Sequence, residues 1–194
     1  MYLSAGEVVF LFEAPEVEWS LDDMHAEPGG MLAPVLDAWR EIGSGFTLKV
    51  VGTGPEEGLL AQPRPGVEWL GWQPRERVLQ LMKEAAFLVL PSEWYENFPM
   101  TLVEAYATGL PVIGSALGSL AELIADGETG RHFRPGDATD LAGIVEWAVR
   151  HPALVAEQGR NARREFDLRY TADQNYDALM QIYRAAGAHA QEYA

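Results

Sequence analysis

Two glutamates, Glu96 and Glu104, flank the start of a predicted helix, and their side chains suit the binding of hydroxyl groups. Pro99 lies between them and favours the first helical turn, because its missing N–H would be unbonded there anyway. The free amides and the dipole of that helix end favour an anion such as a phosphate. A carboxylate binds a phosphate poorly, but it accepts hydrogen bonds from two neighbouring hydroxyls. Two carboxylates beside an anion site therefore predict a sugar on each side, which is the layout of a nucleotide-sugar.

A short apolar strand leads into this helix. Residues 88–90 are typical of a parallel strand covered on both faces, and Pro91 and Ser92 end the run. Gly109, followed two residues later by Pro111, ends the helix after about three turns. The predicted site thus lies in the loop between the carboxyl end of a strand and the amino end of a helix.

The rest of the chain alternates in the same way. Apolar runs that predict strands occupy residues 8–12, 47–51, 67–70, 87–90 and 111–113. Segments of helical periodicity lie between several of them, and further helices are predicted after Asp137 and from Pro152. The pattern predicts an α/β fold, a Rossmann-like parallel sheet with helices on both faces.

The last predicted helix opens with a capping box at residues 171–174 and carries an apolar stripe. The stripe comprises Tyr176, Leu179, Met180 and Tyr183. We expect this stripe to fold against the chain's own sheet or to pair with another copy of the chain.

Composition excludes several classes of protein. The 194 residues are 48% hydrophobic, which is enough for the core of one domain. No apolar stretch approaches the roughly 20 residues of a membrane span, and the first residues lack a signal-peptide pattern, so we expect a cytoplasmic protein. The absence of cysteine excludes disulfides and thiolate metal sites. The net charge of −15 argues against nucleic acid or an anionic membrane as a partner, because both need a basic face.

Several motifs together resemble those of a known family. Glu96 and Glu104, with seven residues between them and Ala-Tyr-Ala-Thr-Gly-Leu-Pro-Val-Ile after them, resemble the E-x7-E motif of the family 4 retaining glycosyltransferases. Those enzymes have the GT-B architecture of two Rossmann-like halves. More matches occur in the family's order at residues 50–55, 67–72, 117–122 and 126–137. The resemblance implies the carboxyl-terminal, donor-binding half of such an enzyme.

That resemblance assigns a role to each glutamate. In this family the first glutamate of the motif, here Glu96, hydrogen-bonds hydroxyls of the donor sugar, and it is our candidate catalytic residue. The second, here Glu104, holds the ribose of the nucleotide. Both roles agree with the carboxylate chemistry above. The structural alternative is that both are ordinary solvated or helix-capping glutamates.

The other implied contacts come mainly from backbone groups. Amides at the start of the helix would face the donor's sugar and diphosphate, one loop would border the base, and two glycines would permit close backbone approach. In that order, these residues are Asn97, Phe98, Met100 and Thr101, then Gly71 and Trp72, then Gly52 and Gly54. The resemblance implies no metal and no cofactor, because the family stabilises the leaving diphosphate with amides and side-chain cations. Among the aromatic residues, only Phe98 and Trp72 are candidates to stack on a ligand rather than to pack in the core or a loop.

The chain also departs from the family in two ways. The family's carboxyl-terminal half opens with Gly-Arg-Leu and then Glu-Lys-Gly, whose Arg and Lys grip the diphosphate. Here the stretch from Glu13 to Gly30 holds six acids and no Lys or Arg, and Pro28 stands where the Lys would fall. Two lost cations would weaken transition-state stabilisation by several kcal/mol unless others, such as Arg75 or Arg131, replace them. The acceptor half is also missing, so we expect weak nucleotide binding and no efficient transfer by this chain alone.

We therefore interpret residues 1–194 as a single nucleotide-sugar-binding domain, with an atypical acidic start at 1–45 and a carboxyl-terminal helix at 171–194. Its expected partners are a nucleotide-sugar donor and either the missing acceptor half or another copy of the chain. Three hypotheses stay open: part of an active transferase, a non-catalytic nucleotide-sugar-binding module, and an interaction domain without a ligand. The acidic start is either a solvated excursion or a patch that contacts a missing domain.

Overall fold

A computed structural model describes residues 7–11, 31–43, 46–95 and 97–192, and its centre is one parallel sheet. The described strands are β1 Glu7–Leu11, β2 Thr47–Val51, β3 Val67–Gly71, β4 Phe87–Leu90, β5 Val112–Ser115 and β6 Gly130–Phe133. Their order across the sheet is β3-β2-β1-β4-β5-β6, and every neighbouring pair is parallel. This is the strand order of a doubly wound Rossmann fold, so the predicted fold class is confirmed.

Helices lie in the connections between the strands and after the last one. The described helices are α1 Leu32–Ile42, α2 Arg75–Glu84, α3 Met100–Thr108, α4 Gly118–Leu123, α5 Ala138–Arg150, α6 Pro152–Arg169 and α7 Ala172–Glu192, and a 3₁₀ helix spans Pro55–Leu60. Local signals explain several boundaries. The Asp137 side chain caps α5 by accepting a hydrogen bond from the amide of Asp140 at 2.9 Å. Gly109 ends α3 in the left-handed region with φ 75°.

Both faces of the sheet are covered, as alternate residues of β4 show. Phe87 and Val89 belong to one core cluster with side chains of α1 and α5. Leu88 and Leu90 belong to a second cluster with side chains of α2, α3, α4 and α6. Because successive residues of a strand point to opposite faces, the apolar run predicted at 88–90 is buried throughout.

The strand β6 was not predicted from the sequence. Its residues read Gly-Arg-His-Phe, and only Gly130 and Phe133 are buried. An edge strand of this kind has no apolar run, and its alternation is too short to be seen in the sequence. Gly130 is required for the close pairing with β5, because a Cβ at that position would lie 1.9 Å from the carbonyl oxygen of Val112.

The packing of α3 fixes the helix that carries Glu104. The buried hydroxyl of Tyr106 donates to the hydroxyl of Thr129 at 2.7 Å, in the turn before β6. Burial raises the pKa of Tyr106 to about 12. On its other side α3 meets α6 so closely that a Cβ on Gly159 would lie 2.5 Å from the carbonyl oxygen of Gly109. These contacts hold the carboxyl half of α3 in one place.

The expected packing of the last helix on the chain's own sheet is wrong. Of the predicted stripe on α7, Met180 is partly buried, but Tyr176, Leu179 and Tyr183, together with the neighbouring Ile182, are exposed by 42% to 64%. Pairing with another copy stays a prediction. The acid-rich stretch from Glu13 to Gly30, which was predicted to be a solvated excursion or a contact patch, lies outside the described residues.

Candidate functional site

The strand order reverses between β1 and β4. These two strands pair with each other, but the next strand along the chain from β1 is β2 on one side, and the next from β4 is β5 on the other. In open parallel sheets, ligands bind in the crevice outside the carboxyl ends of the strands at such a switch point. Residues 91–95 and 97–99, which belong to the connection from β4 to α3, lie at this position. The structure therefore places the predicted site loop where this fold binds ligands.

That loop is supported by the turns after the next two strands. A Cβ at Gly118, where φ is 53°, would lie 3.0 Å from the Tyr95 ring. At Gly136, where φ is 70°, a Cβ would lie 3.5 Å from a carboxylate oxygen of Glu93. The glycines let these turns approach the loop closely, and the 126–137 and 117–122 motifs thus have a structural reason within the site.

The amino end of α3 is open to an anion. Pro99 at the cap makes no side-chain hydrogen bond, and the first turn contains no acidic residue. The amides of Met100 and Thr101 have no acceptor among the residues that the structure describes. Asn97, Phe98 and Met100 are exposed. These free amides and the helix dipole favour a negatively charged group.

Glu96, the candidate catalytic residue, lies outside the described residues. Its contact with a donor sugar therefore stays a prediction. Its neighbours Tyr95 and Asn97 are both exposed, on either side of it in the loop.

Glu104 is held by an arginine from a neighbouring helix. The Glu104 side chain is 25% exposed, its Oε1 accepts a hydrogen bond from Arg75 Nε at 2.9 Å, and the same oxygen lies 2.9 Å from Arg75 Nη2 in an ion pair. Arg75 is the first residue of α2 and follows the loop of Gly71 and Trp72 closely. The structure thus pairs the residue predicted to hold the ribose with the first residue of the helix that follows the loop predicted to border the base.

Gly52 and Gly71 lie together at the carboxyl ends of β2 and β3. The amide of Gly52 donates to the carbonyl oxygen of Gly71 at 2.9 Å, and the Gly52 carbonyl accepts from the Trp69 indole at 3.2 Å. Their φ angles of 123° and 62° require glycine. Gly54 differs, because its φ of 169° is extended and open to any residue, and its amide donates to Glu57 at 2.9 Å. Close approach of a ligand to these glycines stays a prediction.

Arg131, the other cation considered for the diphosphate, and the nearby Arg134 make their contacts elsewhere. The guanidinium of Arg131 lies 3.7 Å from the Trp147 ring centre on α5. Arg134, which follows β6, pairs with Asp137 at 3.0 Å and Asp140 at 3.4 Å. Of these three arginines, Arg75 is the one that contacts a predicted site residue, Glu104.

One residue of the site region gave no signal in the sequence. Tyr170, at the end of α6, packs edge to face on Phe98 with ring centres 6.1 Å apart. Phe98 was predicted as a candidate to stack on a ligand. In the structure its ring contacts Tyr170. The two residues are far apart in the chain, and neither motif nor periodicity connects them.

The described residues contain neither a metal-binding cluster nor a helix suited to cross a membrane. No set of three or more His, Asp or Glu side chains within the described ranges is arranged to hold a metal ion. Among the helices of the described part, none combines the length and the apolar character needed to span a membrane.

Comparisons with known proteins found similar chains. A family model described as "Glycosyl transferases group 1" matches residues 33–165. A glycogen synthase of Mycobacterium tuberculosis (H37Rv) is 31% identical over 153 residues, which cover 76% of this chain and 37% of that protein. A D-inositol 3-phosphate glycosyltransferase of Streptomyces avermitilis is 31% identical over 167 residues, covering 80% of this chain and 35% of that one. The chain thus spans less than half the length of these curated relatives.

Solved structures share the fold. HepE of Anabaena in complex with UDP-glucose has a TM-score of 0.75 at 20% identity, with 94% of this chain and 50% of HepE covered. A sucrose-phosphate synthase of Thermosynechococcus elongatus has a TM-score of 0.74 at 24% identity, with 97% of this chain and 47% of the synthase covered.

Proposed function

The chain belongs to the glycosyl transferases group 1 family, and we propose that it is the donor-binding domain of a retaining glycosyltransferase that uses a nucleotide-diphosphate sugar. One observation carries this proposal. Glu104 lies one turn inside α3, whose open amino end meets the crevice at the switch point of the sheet. An anion site and a hydroxyl-binding carboxylate therefore share one short helix.

The spacing suits a nucleoside diphosphate. Glu104 is four positions after Met100, which is about 6 Å along a helix and is the scale of a ribose joined to a phosphate. The diphosphate would bind the amides of Met100 and Thr101, and the ribose would bind Glu104. The base would lie against the loop of Gly71 and Trp72. Binding of UDP-glucose by HepE, which shares this fold, supports a ligand of this class.

The proposed reaction moves a glycosyl group between two oxygens. The bond from the anomeric carbon to the diphosphate oxygen breaks, and a bond forms from that carbon to an acceptor hydroxyl on the same face of the sugar. The acceptor's proton is released, and the nucleoside diphosphate leaves with the bonding electrons. Glu96 is proposed to hold hydroxyls of the sugar. The acceptor site would come from another half, because the named relatives are more than twice as long as the segment matched here.

Donor binding by this chain alone is expected to be weak. The first Lys or Arg in the sequence is Arg40, so the segment that aligns with the family's gripping cations has none. The dipole of an exposed helix end contributes only about 0.3–1 kcal/mol. We therefore expect affinities in the high-micromolar range or weaker, with little difference between a diphosphate and a monophosphate. The same missing cations favour one alternative, a non-catalytic module that binds or once bound nucleotide-sugars.

Calorimetric titration with UDP, GDP, ADP and their sugars, at two salt concentrations and beside a donor-hydrolysis assay, tests the proposal. Glu104→Ala should weaken nucleotide binding by about 1–3 kcal/mol with an unchanged circular dichroism spectrum, because the ribose hydroxyls lose their acceptor. Glu157→Ala, which removes an exposed carboxylate from α6, should leave the affinity unchanged. Equal affinities for all three proteins would remove Glu104 from the site. Donor hydrolysis by this chain would show that it holds a working catalytic centre without the other half.

A further inference from the structure

The pair formed by Arg75 and Glu104 leaves one half of the carboxylate open. Both Arg75 contacts, from Nε and from Nη2, go to the same oxygen, Oε1. Oε2 has no hydrogen-bond partner in the described part of the chain. Because the Arg75 Nε hydrogen bond and the Nη2 ion-pair contact both crowd Oε1, a ligand diol can bind both carboxylate oxygens only by displacing Arg75. Without that displacement, Glu104 offers a single acceptor.

Arg75 offers the complementary donors. A guanidinium carries five N–H groups, of which two face Glu104. The remaining three have no acceptor among the described residues, and the Arg75 side chain is 71% exposed. An open acceptor and open donors thus lie side by side, on a pair that joins the start of α2 to α3.

Stability does not explain a cation at this position. Arg75 occupies the first residue of α2, where the helix dipole disfavours positive charge. A pair with one strongly exposed partner also contributes little to folding. Arg77, two residues later in the same helix turn, has no ion pair within the described ranges, which makes it a matched reference for Arg75.

We propose that Arg75 is a second ribose-binding residue, so that the Arg75–Glu104 pair reads both hydroxyls of the nucleotide. One hydroxyl donates to Oε2 of Glu104, and the oxygen of its neighbour accepts from the Arg75 guanidinium. This arrangement keeps the observed ion pair intact and makes binding depend on two adjacent hydroxyls. The inference rests on the proposed function, since it assumes that the ligand is a ribonucleotide.

The test compares ribonucleotides with analogues that lack one hydroxyl. The nucleoside diphosphate that binds best in the panel is titrated against the whole chain by NMR, with its 2′-deoxy and 3′-deoxy forms in parallel. Arg75→Ala should bind the ribonucleotide about tenfold more weakly, which is the loss expected for one hydrogen bond to a charged group. For at least one deoxy form, Arg75→Ala and the wild type should bind with affinities within about twofold of each other. That form lacks the hydroxyl that would contact Arg75, so removing Arg75 costs nothing further.

Two further variants separate contact from charge and from folding. Arg77→Ala removes the same charge nearby and should change all three affinities by less than about twofold. Arg75→Lys keeps the charge but not the planar fork, and it should also lose most of the hydroxyl discrimination while keeping the wild-type circular dichroism spectrum.

Four results would overturn the inference. Tighter binding by Arg75→Ala would show that Arg75 competes with the ribose for Glu104. An equal loss for the ribonucleotide and both deoxy forms would show that Arg75 acts on the phosphates or only orients Glu104. Binding of all nucleotides unchanged by Arg75→Ala would leave the proposed function standing without a role for Arg75. If the wild-type chain binds no nucleotide at all, the proposed function fails, and this inference fails with it.

Discussion

Helices α3 and α7 differ in how far the rest of the chain covers their apolar side chains. In α3, Leu102, Ala105 and Tyr106 are fully buried, and the amino end is left open. In α7, the apolar residues Tyr176 and Ile182 are more than 60% exposed. The chain itself therefore determines the position of α3, whereas the apolar side of α7 is the kind of surface that partners cover. The comparison shows that contacts within the described chain fix the site helix but leave the apolar side of the last helix uncovered.

The packing of α3 on α6 gives the largest expected effect. Gly159→Ala places a Cβ 2.5 Å from the carbonyl oxygen of Gly109, so the two helices must separate. We expect a loss of about 3 kcal/mol in the free energy of unfolding, measured by urea denaturation. Gly143→Ala is the matched control, because it lies inside α5 with no atom within 4 Å, and it should gain about 0.5–1 kcal/mol. A Gly159 variant as stable as the wild type would mean that α6 does not constrain α3.

The buried hydroxyl of Tyr106 predicts a loss of stability in alkali. Burial raises its pKa to about 12, whereas a tyrosine in the unfolded chain ionises near pH 10. Stability that is present below pH 10 should therefore be lost as the pH rises through about 12, by about 2–3 kcal/mol in total. Tyr106→Phe should lack this part of the pH dependence, and at neutral pH it should cost about 1 kcal/mol for the lost hydrogen bond.

Unfolding curves at several pH values test whether the free energy of unfolding falls as the pH rises. Burial also raises the pKa of Tyr170, but that residue is present in both proteins, so its contribution cancels in the difference. Parallel curves for wild type and Tyr106→Phe above pH 10 would show that Tyr106 is hydrated and does not anchor α3.

The contact between Phe98 and Tyr170 should have a smaller effect. A double-mutant cycle with Phe98→Leu and Tyr170→Leu should give a coupling energy of about 0.5–1.5 kcal/mol, the usual range for an aromatic pair. The control cycle combines Phe98→Leu with Tyr176→Leu. It should give no coupling, because Tyr176 is exposed on α7. Equal couplings in both cycles would contradict a specific contact between the loop and α6.

Changes on α7 should have the smallest effect on folding. Replacing Tyr176 and Tyr183 with Gln should alter the free energy of unfolding by less than about 0.5 kcal/mol, because both side chains are already exposed. Light scattering on the same proteins shows whether the stripe pairs two copies. A loss above about 1 kcal/mol in a monomer would mean that α7 folds back on the chain after all.

The sequence predicted α3 well because its boundaries are local. Pro99 and Gly109 each act on their own backbone, and the apolar run before the helix needs no distant partner to be recognised. The motifs likewise placed Gly71 and Gly52 in turns where the structure requires glycine.

Contacts across the chain could not be predicted in this way. Arg75 and Glu104 are 29 residues apart and both carry charges that are usually solvated, so nothing local indicates that they meet. Tyr170 reaches Phe98 only because α6 packs on α3. The exposure of α7 was missed for a related reason, since an apolar stripe shows that a helix has a partner but not where that partner lies.

The short distance between Tyr170 and the start of α7 has a mechanical consequence. A helix of 21 residues is about 30 Å long, so a tilt of roughly 10° about its first turn would move its far end by about 5 Å. A force on the far end of α7 would therefore rotate the helix about its first turn, which lies next to Tyr170. Because Tyr170 lies against Phe98, such a rotation would displace the loop that leads into α3.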